Sequence, residues 1–230
     1  MAKRTYGQLC AVARALDVLG ERWTLLVVRE LLFGPRRFGE LLEALPGIGP
    51  NLLSTRLKAL GEGGVAKRVA LPRAGGVGYE LTDAGRALDD VLLQLARWQL
   101  EQRPRPPAGV IGDASPRWSI LALRARFRGS PTTGAGEAGQ CESYEINVED
   151  ESFVLRADGV LSATAGRDPA AAVVLRTDAG TLARLALGAI GLEAAVAGGQ
   201  VHVDGSPFAV TRMARNLTLE GPTNVHGSGG

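Results

Sequence analysis

Histidine and cysteine are nearly missing from this chain, with two of each in 230 residues. Cys10 and Cys141 lie far apart, so no structural disulfide is expected, and His202 and His226 stand alone, without the paired spacing that holds a metal ion. No GxSxG turn and no phosphate-binding P-loop occurs. GAGEAG, from Gly134 to Gly139, fits the dinucleotide pattern GxGxxG, but no strand precedes it and no helix follows, so it reads as a loop. Neither a cofactor nor a metal nor an enzymatic activity is expected. No apolar run approaches the roughly 18 residues of a membrane span. The opening MAKRTYGQLC lacks the apolar core of a signal peptide, and a cytoplasmic protein without membrane contact is expected. Lysine is scarce too, three against 23 arginines, and the net charge is only +2. The small basic surplus lies at the front: residues 1–102 hold 14 Lys+Arg against 11 Asp+Glu, net +3, leaving 12 against 13, net −1, for the rest.

What the chain does have is a dense run of pattern from Trp23 to Thr82. In FGELLEAL, Phe38, Leu41, Leu42 and Leu45 recur at helical spacing and define one apolar face. Pro46-Gly47 stops that helix, and Ile48 is the apolar anchor of the turn. Pro50 opens a second helix at the position where its missing N–H costs nothing. Leu52, Leu53, Leu57 and Leu60 form its buried stripe; Asn51, Ser54, Thr55, Arg56 and Lys58 remain, the side chains that meet base edges and phosphates when a helix lies in the major groove. After Gly63-Gly64 the period changes to two, through Val65, Val69, Leu71 and then Val77, Tyr79, Leu81, which marks a two-stranded wing. Lys67, Arg68 and Arg73 on that hairpin can hold flanking phosphates or enter the minor groove, a solvated hairpin being the plainer alternative, and Arg36 and Arg37 ahead of the first helix join the expected DNA contacts.

The stretch from Cys10 through ALDVLGERWTLLVVRELLFGPRRFGELLEALPGI, LLSTRLKALGEGGV and YELTDAGRAL to Trp98 closely resembles the HxlR-type winged helix-turn-helix transcriptional regulators. That resemblance implies a cytoplasmic homodimer on dyad-symmetric double-stranded DNA, with helices from both ends of the domain at the dimer interface. Gly49 departs from the family's usual serine N-cap, a loss of only a few tenths of a kcal/mol. Some proteins of this type sense oxidants or electrophiles through a cysteine at the place of Cys10. A buried packing role is the plainer reading of that residue; Arg14, one turn on, would favour the thiolate.

Thr82 is expected to cap a helix running to about Glu101, with Leu88, Val91, Leu92, Leu95 and Trp98 on one side. Leu9, Val12, Ala13, Leu16 and Leu19 form a matching stripe near the N-terminus. Neither is needed for the small winged core, so Leu9, Val12, Leu16, Leu88, Leu92, Leu95 and Trp98 are the expected two-fold interface, with packing of both stripes within the chain as the alternative. The DNA-binding and dimerisation domain is then 1–102, followed by a proline-rich linker at 103–114. Within 115–220 the order is helix PRWSILALRARF, strands near SYEINV, SFVLRA, VLSATAG and AAVVLRT, helices near AGTLARLAL and GLEAAVA, strand VHVDG and helix PFAVTRMARNL. Residues 221–230 read as a flexible tail. The class is α+β: a winged helix followed by an α/β sandwich with helices on one face of a sheet.

The order of elements in 115–220, with VHVDGSPFAVTRMARNL at its end, resembles the sterol-carrier-protein type of lipid-binding domain. Such a domain implies an apolar cavity between sheet and helices, with Trp118, Phe153, Leu185, Phe208 and Met213 as candidate lining and a small apolar molecule as ligand. The expectation is a homodimeric regulator, a repressor by default, whose second domain receives an apolar effector. The alternative is an apolar-ligand carrier or interaction protein whose winged helix mediates protein contacts.

Overall fold

A computed structural model of the chain describes residues 5–71, 75–102, 114–127, 142–158 and 160–220. It divides into two compact units, Met1–Leu92 and Leu93–Gly230. The first unit contains α1 (Ala11–Leu19), α2 (Thr24–Leu31), α3 (Phe38–Ala44), α4 (Pro50–Glu62), β1 (Ala66–Ala70), β2 (Val77–Leu81), α5 (Asp83–Arg86) and the start of α6 (Leu88–Gln102). Its core gathers Val27, Val28 and Leu31 of α2, Leu41 and Leu45, Ile48 of the turn, Leu53, Leu57 and Leu60 of α4, and Val65, Leu81 and Leu92. A leucine buried to this degree stabilises the unit by about 2 kcal/mol. The burial periodicity therefore holds α3 and α4 together.

Local signals set the ends of these helices. The Arg37 N–H donates to Glu40 Oε2 at 2.9 Å, so a carboxylate closes the first turn of α3. Gly47 takes φ +92°, a conformation that suits glycine, and the Ile48 N–H returns to the Leu45 carbonyl at 3.1 Å. Gly49 is the N-cap of α4, without a side-chain cap, and Pro50 follows in the first turn. In the wing, β1 and β2 are antiparallel, with Lys67 opposite Glu80 and Arg68 opposite Tyr79.

Two expectations about the far end of this unit need correction. The helix after Thr82 is broken: Thr82 Oγ1 accepts from the Gly85 N–H at 3.1 Å to start α5, and α6 begins only after the turn at Ala87. Gly85 lets α5 approach the wing, since a Cβ there would lie 2.0 Å from the Val65 carbonyl oxygen. Leu92, expected on a dimer face, is instead buried in the winged core, with Leu88 packed against that core. Val65, Leu81 and Leu92 thus join one buried cluster with the apolar faces of α2, α3 and α4.

The second unit contains α7 (Pro116–Arg126), β3 (Glu142–Val148), β4 (Glu151–Ala157), β5 (Leu161–Ala165), β6 (Val173–Thr177), α8 (Ala179–Ala186), α9 (Leu192–Ala197), β7 (Val201–Gly205) and α10 (Pro207–Asn216). Its five-stranded sheet has the order β5-β4-β3-β6-β7, with β3 and β6 parallel and the other neighbours antiparallel. Register pairs Tyr144 with Leu155 and Val173, and Ile146 with Phe153 and Leu175, so one face is apolar and buried. The intervening residues, among them Arg156, Arg176, His202 and Asp204, make the other face polar. Asp178 caps α8 by accepting from the Thr181 N–H at 2.8 Å, and Ser206 Oγ caps α10 through the Ala209 N–H at 3.2 Å. The Arg126 guanidinium donates to the carbonyls of Ala186 and Thr218 at 3.2 and 3.1 Å, and burial pulls its pKa below the usual guanidinium value. Residues 103–113, Gly134–Gly139, Cys141 and 221–230 lie outside the described residues.

Candidate nucleic-acid interface

On α4 the apolar stripe turns Leu53, Leu57 and Leu60 inward and leaves Asn51, Ser54, Thr55 and Lys58 exposed. Thr55 Oγ1 donates to the Asn51 carbonyl at 2.8 Å, while Lys58 reaches Glu62 only at 3.8 Å across an exposed turn. Such an exposed pair contributes little, so the ammonium is available to a stronger anionic partner. The exposed row is short, polar and cationic, which is the chemistry that a major-groove helix presents.

Arg56 behaves differently from the rest of that set. Its side chain is only 14% exposed; Nε donates to the Arg22 carbonyl and Nη2 to Glu21 Oε2, both at 3.0 Å. Where the sequence predicts a base contact, the guanidinium instead turns back onto the turn between α1 and α2 in the chain without DNA. Helical spacing could place Arg56 beside the exposed face, but its acceptors lie about 35 residues upstream, beyond any local pattern.

Arg36 and Arg37 are likewise engaged in holding the wing. The Arg36 backbone pairs with Tyr79, N–H to carbonyl at 2.9 Å and the reverse at 2.8 Å, adding a third segment to the hairpin. Its side chain reaches Glu30 at 3.2 Å, and Arg29 binds the same carboxylate at 2.9 Å. Glu30 is fully buried, a charge the sequence reading missed. Burial lowers the Arg29 pKa and Glu30 partly restores it. Arg37 Nη2 donates to the Gly75 carbonyl at 2.7 Å near the wing tip. On the hairpin, Lys67 pairs with Glu80 at 3.0 Å while staying half exposed, and Arg68 is exposed. Arg73 lies outside the described residues.

Of the expected interface residues, Leu9, Val12 and Leu16 are exposed on or just before α1, and Leu95 and Trp98 are exposed on α6. Cys10 is the exposed N-cap residue of α1. It makes no formal capping hydrogen bond, yet the backbone N–H groups of Ala13 and then Val12 hold its thiol below the ordinary cysteine pKa.

In the second unit, Phe153, Leu185 and Met213 are buried core and Trp118 is half-buried. Phe208 is corrected: it is 72% exposed, with the Arg212 guanidinium stacked 4.2 Å from its ring. A surface pocket of about 580 Å³ is lined by Glu142, Ser143, Ala170, Ala172, Ser206, Ala209 and Arg212, none of them an expected lining residue. Arg212 holds Glu142 below its usual carboxylate pKa, and Tyr144 Oη donates to Glu142 at 2.8 Å while accepting from Asn216 at 2.9 Å. Among the described residues no His/Cys/Asp/Glu group could hold a metal ion, and no helix is long and apolar enough to cross a membrane.

Comparison with known proteins points the same way as the geometry of α3, α4 and the wing. An uncharacterised HTH-type transcriptional regulator of Mycobacterium tuberculosis is 46% identical over 99 residues, covering 42% of this chain and 61% of that protein. The chain thus spans about three fifths of this relative's length. The uncharacterised HTH-type transcriptional regulator YvaP of Bacillus subtilis is 42% identical over 89 residues, 38% of this chain and 82% of the relative. The solved reduced form of the transcriptional regulator YodB from B. subtilis shares 32% identity, covering 46% of this chain and all of that one, with a TM-score of 0.37. The profile of the HxlR-like helix-turn-helix family matches residues 18–106, and with these relatives the chain belongs to that family.

Proposed function

We propose that the protein is a DNA-binding transcriptional regulator that acts as a homodimer on an imperfect palindrome, and that it catalyses no reaction. The observation that carries this reading is the exposed row Asn51, Ser54, Thr55 and Lys58 on α4, beside a wing that displays Lys67 and Arg68. A helix of this polarity suits the major groove, and the wing cations suit flanking phosphates. Residues 1–102 supply DNA binding and dimerisation in this reading. Leu9, Val12 and Leu16, with Leu95 and Trp98, are apolar groups in water that a second copy would cover. Half-site centres are then separated by about 10 bp or a multiple of it. A dimer seated on a promoter blocks polymerase without an activation surface, so repression is the default sign. The protein acts in the cytoplasm.

Residues 115–220 form, in this reading, an α/β sandwich of the sterol-carrier type that receives a small apolar effector. Support comes from the order of elements and from a sheet whose one face is apolar at its centre, through Tyr144, Ile146, Phe153, Leu155, Val173 and Leu175. Because Phe153, Leu185 and Met213 already fill that core, a ligand enters only if side chains part. Cys10, exposed and with a lowered pKa, is a second candidate input. Footprinting of the purified chain on its own promoter at physiological salt tests the reading: a protected dyad is expected, and the absence of any selective protection would refute it.

A further inference from the structure

The contacts of Arg56 carry an inference about how α4 is held. Its two acceptors, the Arg22 carbonyl and the Glu21 carboxylate, belong to the turn between α1 and α2. That turn is strained: Trp23, the next residue, has φ +77°, a left-handed conformation that side chains with a Cβ avoid. The indole is anchored against the winged core, and a Cβ added at Gly47 in the helix-turn-helix would lie 3.6 Å from Trp23 Cη2. At the other end of α4, a Cβ at Gly63 would come within 2.6 Å of Val18 Cγ1, so α1 also lies against the end of that helix. The α1 end and the turn after it therefore grip the reading unit at three places: the helix-turn-helix bend, the middle of α4 and its C-terminus.

We propose that Arg56 is a positioning residue, not a base reader, and that its clasp on Glu21 and Arg22 fixes the roll of α4 relative to α1. This rests on the DNA-binding reading above and assigns the residue that sets it. Asn51, Ser54, Thr55 and Lys58 then present an angle governed by α1, the helix that begins at Cys10 and carries exposed Val12 and Leu16. A change at α1, whether apposition of a second copy or chemistry at Cys10, reaches the reading face through this contact. An Arg56 that swung out to DNA would abandon both acceptors and remove the side-chain tie between α4 and the strained Trp23 turn.

Direct reading and positioning make opposite predictions for Glu21. If Arg56 reads a base, Glu21→Ala frees the guanidinium and removes a negative charge, so affinity holds or rises. If Arg56 positions α4, Glu21→Ala and Arg56→Met should each weaken operator binding by roughly tenfold, and the double variant should be no weaker than either single one. The experiment uses the full chain and the duplex that the wild type selects from random sequence, with every base pair of a half-site then varied singly. Positioning predicts a loss spread over the half-site. Loss of preference at one base pair in Arg56→Met, with Glu21→Ala at wild-type affinity or tighter, overturns it. Amide hydrogen exchange without DNA separates this from failure of the DNA-binding reading. Arg56→Met should speed exchange both at Thr24 and Val27, whose N–H groups close the Trp23 turn, and along α4. Unchanged α4 rates would overturn the clasp even if DNA binding held, and faster rates would support it even in a chain that selected no sequence.

Discussion

The helix α4 and the five-stranded sheet are both two-faced, yet they treat their polar sides in opposite ways. On the sheet, Arg156 meets Asp168 at 3.1 Å, Asp204 is shared by Arg176 and by His202 at 3.3 Å, and Glu145 accepts from Asn147 and from the Asp168 N–H. On α4, Asn51 and Ser54 enter no side-chain hydrogen bond among the described residues, and Lys58 has only a distant exposed partner. The sheet pairs its charged side chains with one another, leaving Asn147 Oδ1 as a buried polar atom without a partner among the described residues, whereas α4 keeps its short polar groups in water. Polar groups already paired gain little from a ligand, whereas solvated ones can exchange water for phosphate and base edges at small cost.

The contrast can be broken most forcefully at Glu30. Glu30→Ala would remove the buried carboxylate that the guanidinium groups of Arg29 and Arg36 now share. A loss of about 3–5 kcal/mol in the urea unfolding of the winged unit is expected, with the wing detached as a consequence. A shift below about 1 kcal/mol would mean that water replaces the carboxylate and that core packing of Leu81 with the backbone pairing of Arg36 and Tyr79 suffices to hold the wing.

Leu92 and Trp98 sharpen the comparison along one helix. Leu92→Ala should lower stability by about 2–5 kcal/mol whatever the protein concentration, because it opens the core. Trp98→Ala should leave the stability of the isolated chain nearly unchanged and weaken self-association in sedimentation, because its ring is 60% exposed. Equal, concentration-independent effects would remove Trp98 from any interface.

That helix also shows what was legible in the sequence. Periodicity located the ends of α3, α4 and most strands to within a residue or two, since each is set by local caps, prolines and glycines such as Gly47, Pro50 and Asp178. A stripe of leucines states that a helix face is covered, without stating by what, so Leu88 and Leu92 could be given to a second copy when the core required them. Arg56, Glu30 and Phe208 were unreadable for a related reason. Their surroundings come from segments distant in sequence, and a helical wheel or a residue type carries no record of them.

Smaller effects test the polar row itself. Asn51→Ala should reduce specific affinity by about 1–3 kcal/mol if the amide makes a bidentate base contact, with preference lost at one position. Lys58→Ala and Lys67→Ala should weaken all sequences alike and reduce the salt slope of binding by about one each. In the sheet unit, Asp178→Ala should cost only about 1 kcal/mol, the value of one helix cap. The Thr181 hydroxyl and N–H hold the Asp178 pKa down. Its contribution is therefore complete above the unfolded carboxylate pKa and is lost as pH falls through the depressed folded value. An acid unfolding curve identical in wild type and Asp178→Ala would contradict this.

The most direct test of the central claim, that the exposed face of α4 reads DNA, is sequencing of the duplexes retained by the full chain from a random pool at physiological salt, in parallel with Asn51→Ala. The account predicts an imperfect palindrome for the wild type and loss of preference at one position per half-site in the variant. Retention without sequence preference, or the same palindrome at the same strength from both proteins, would contradict it.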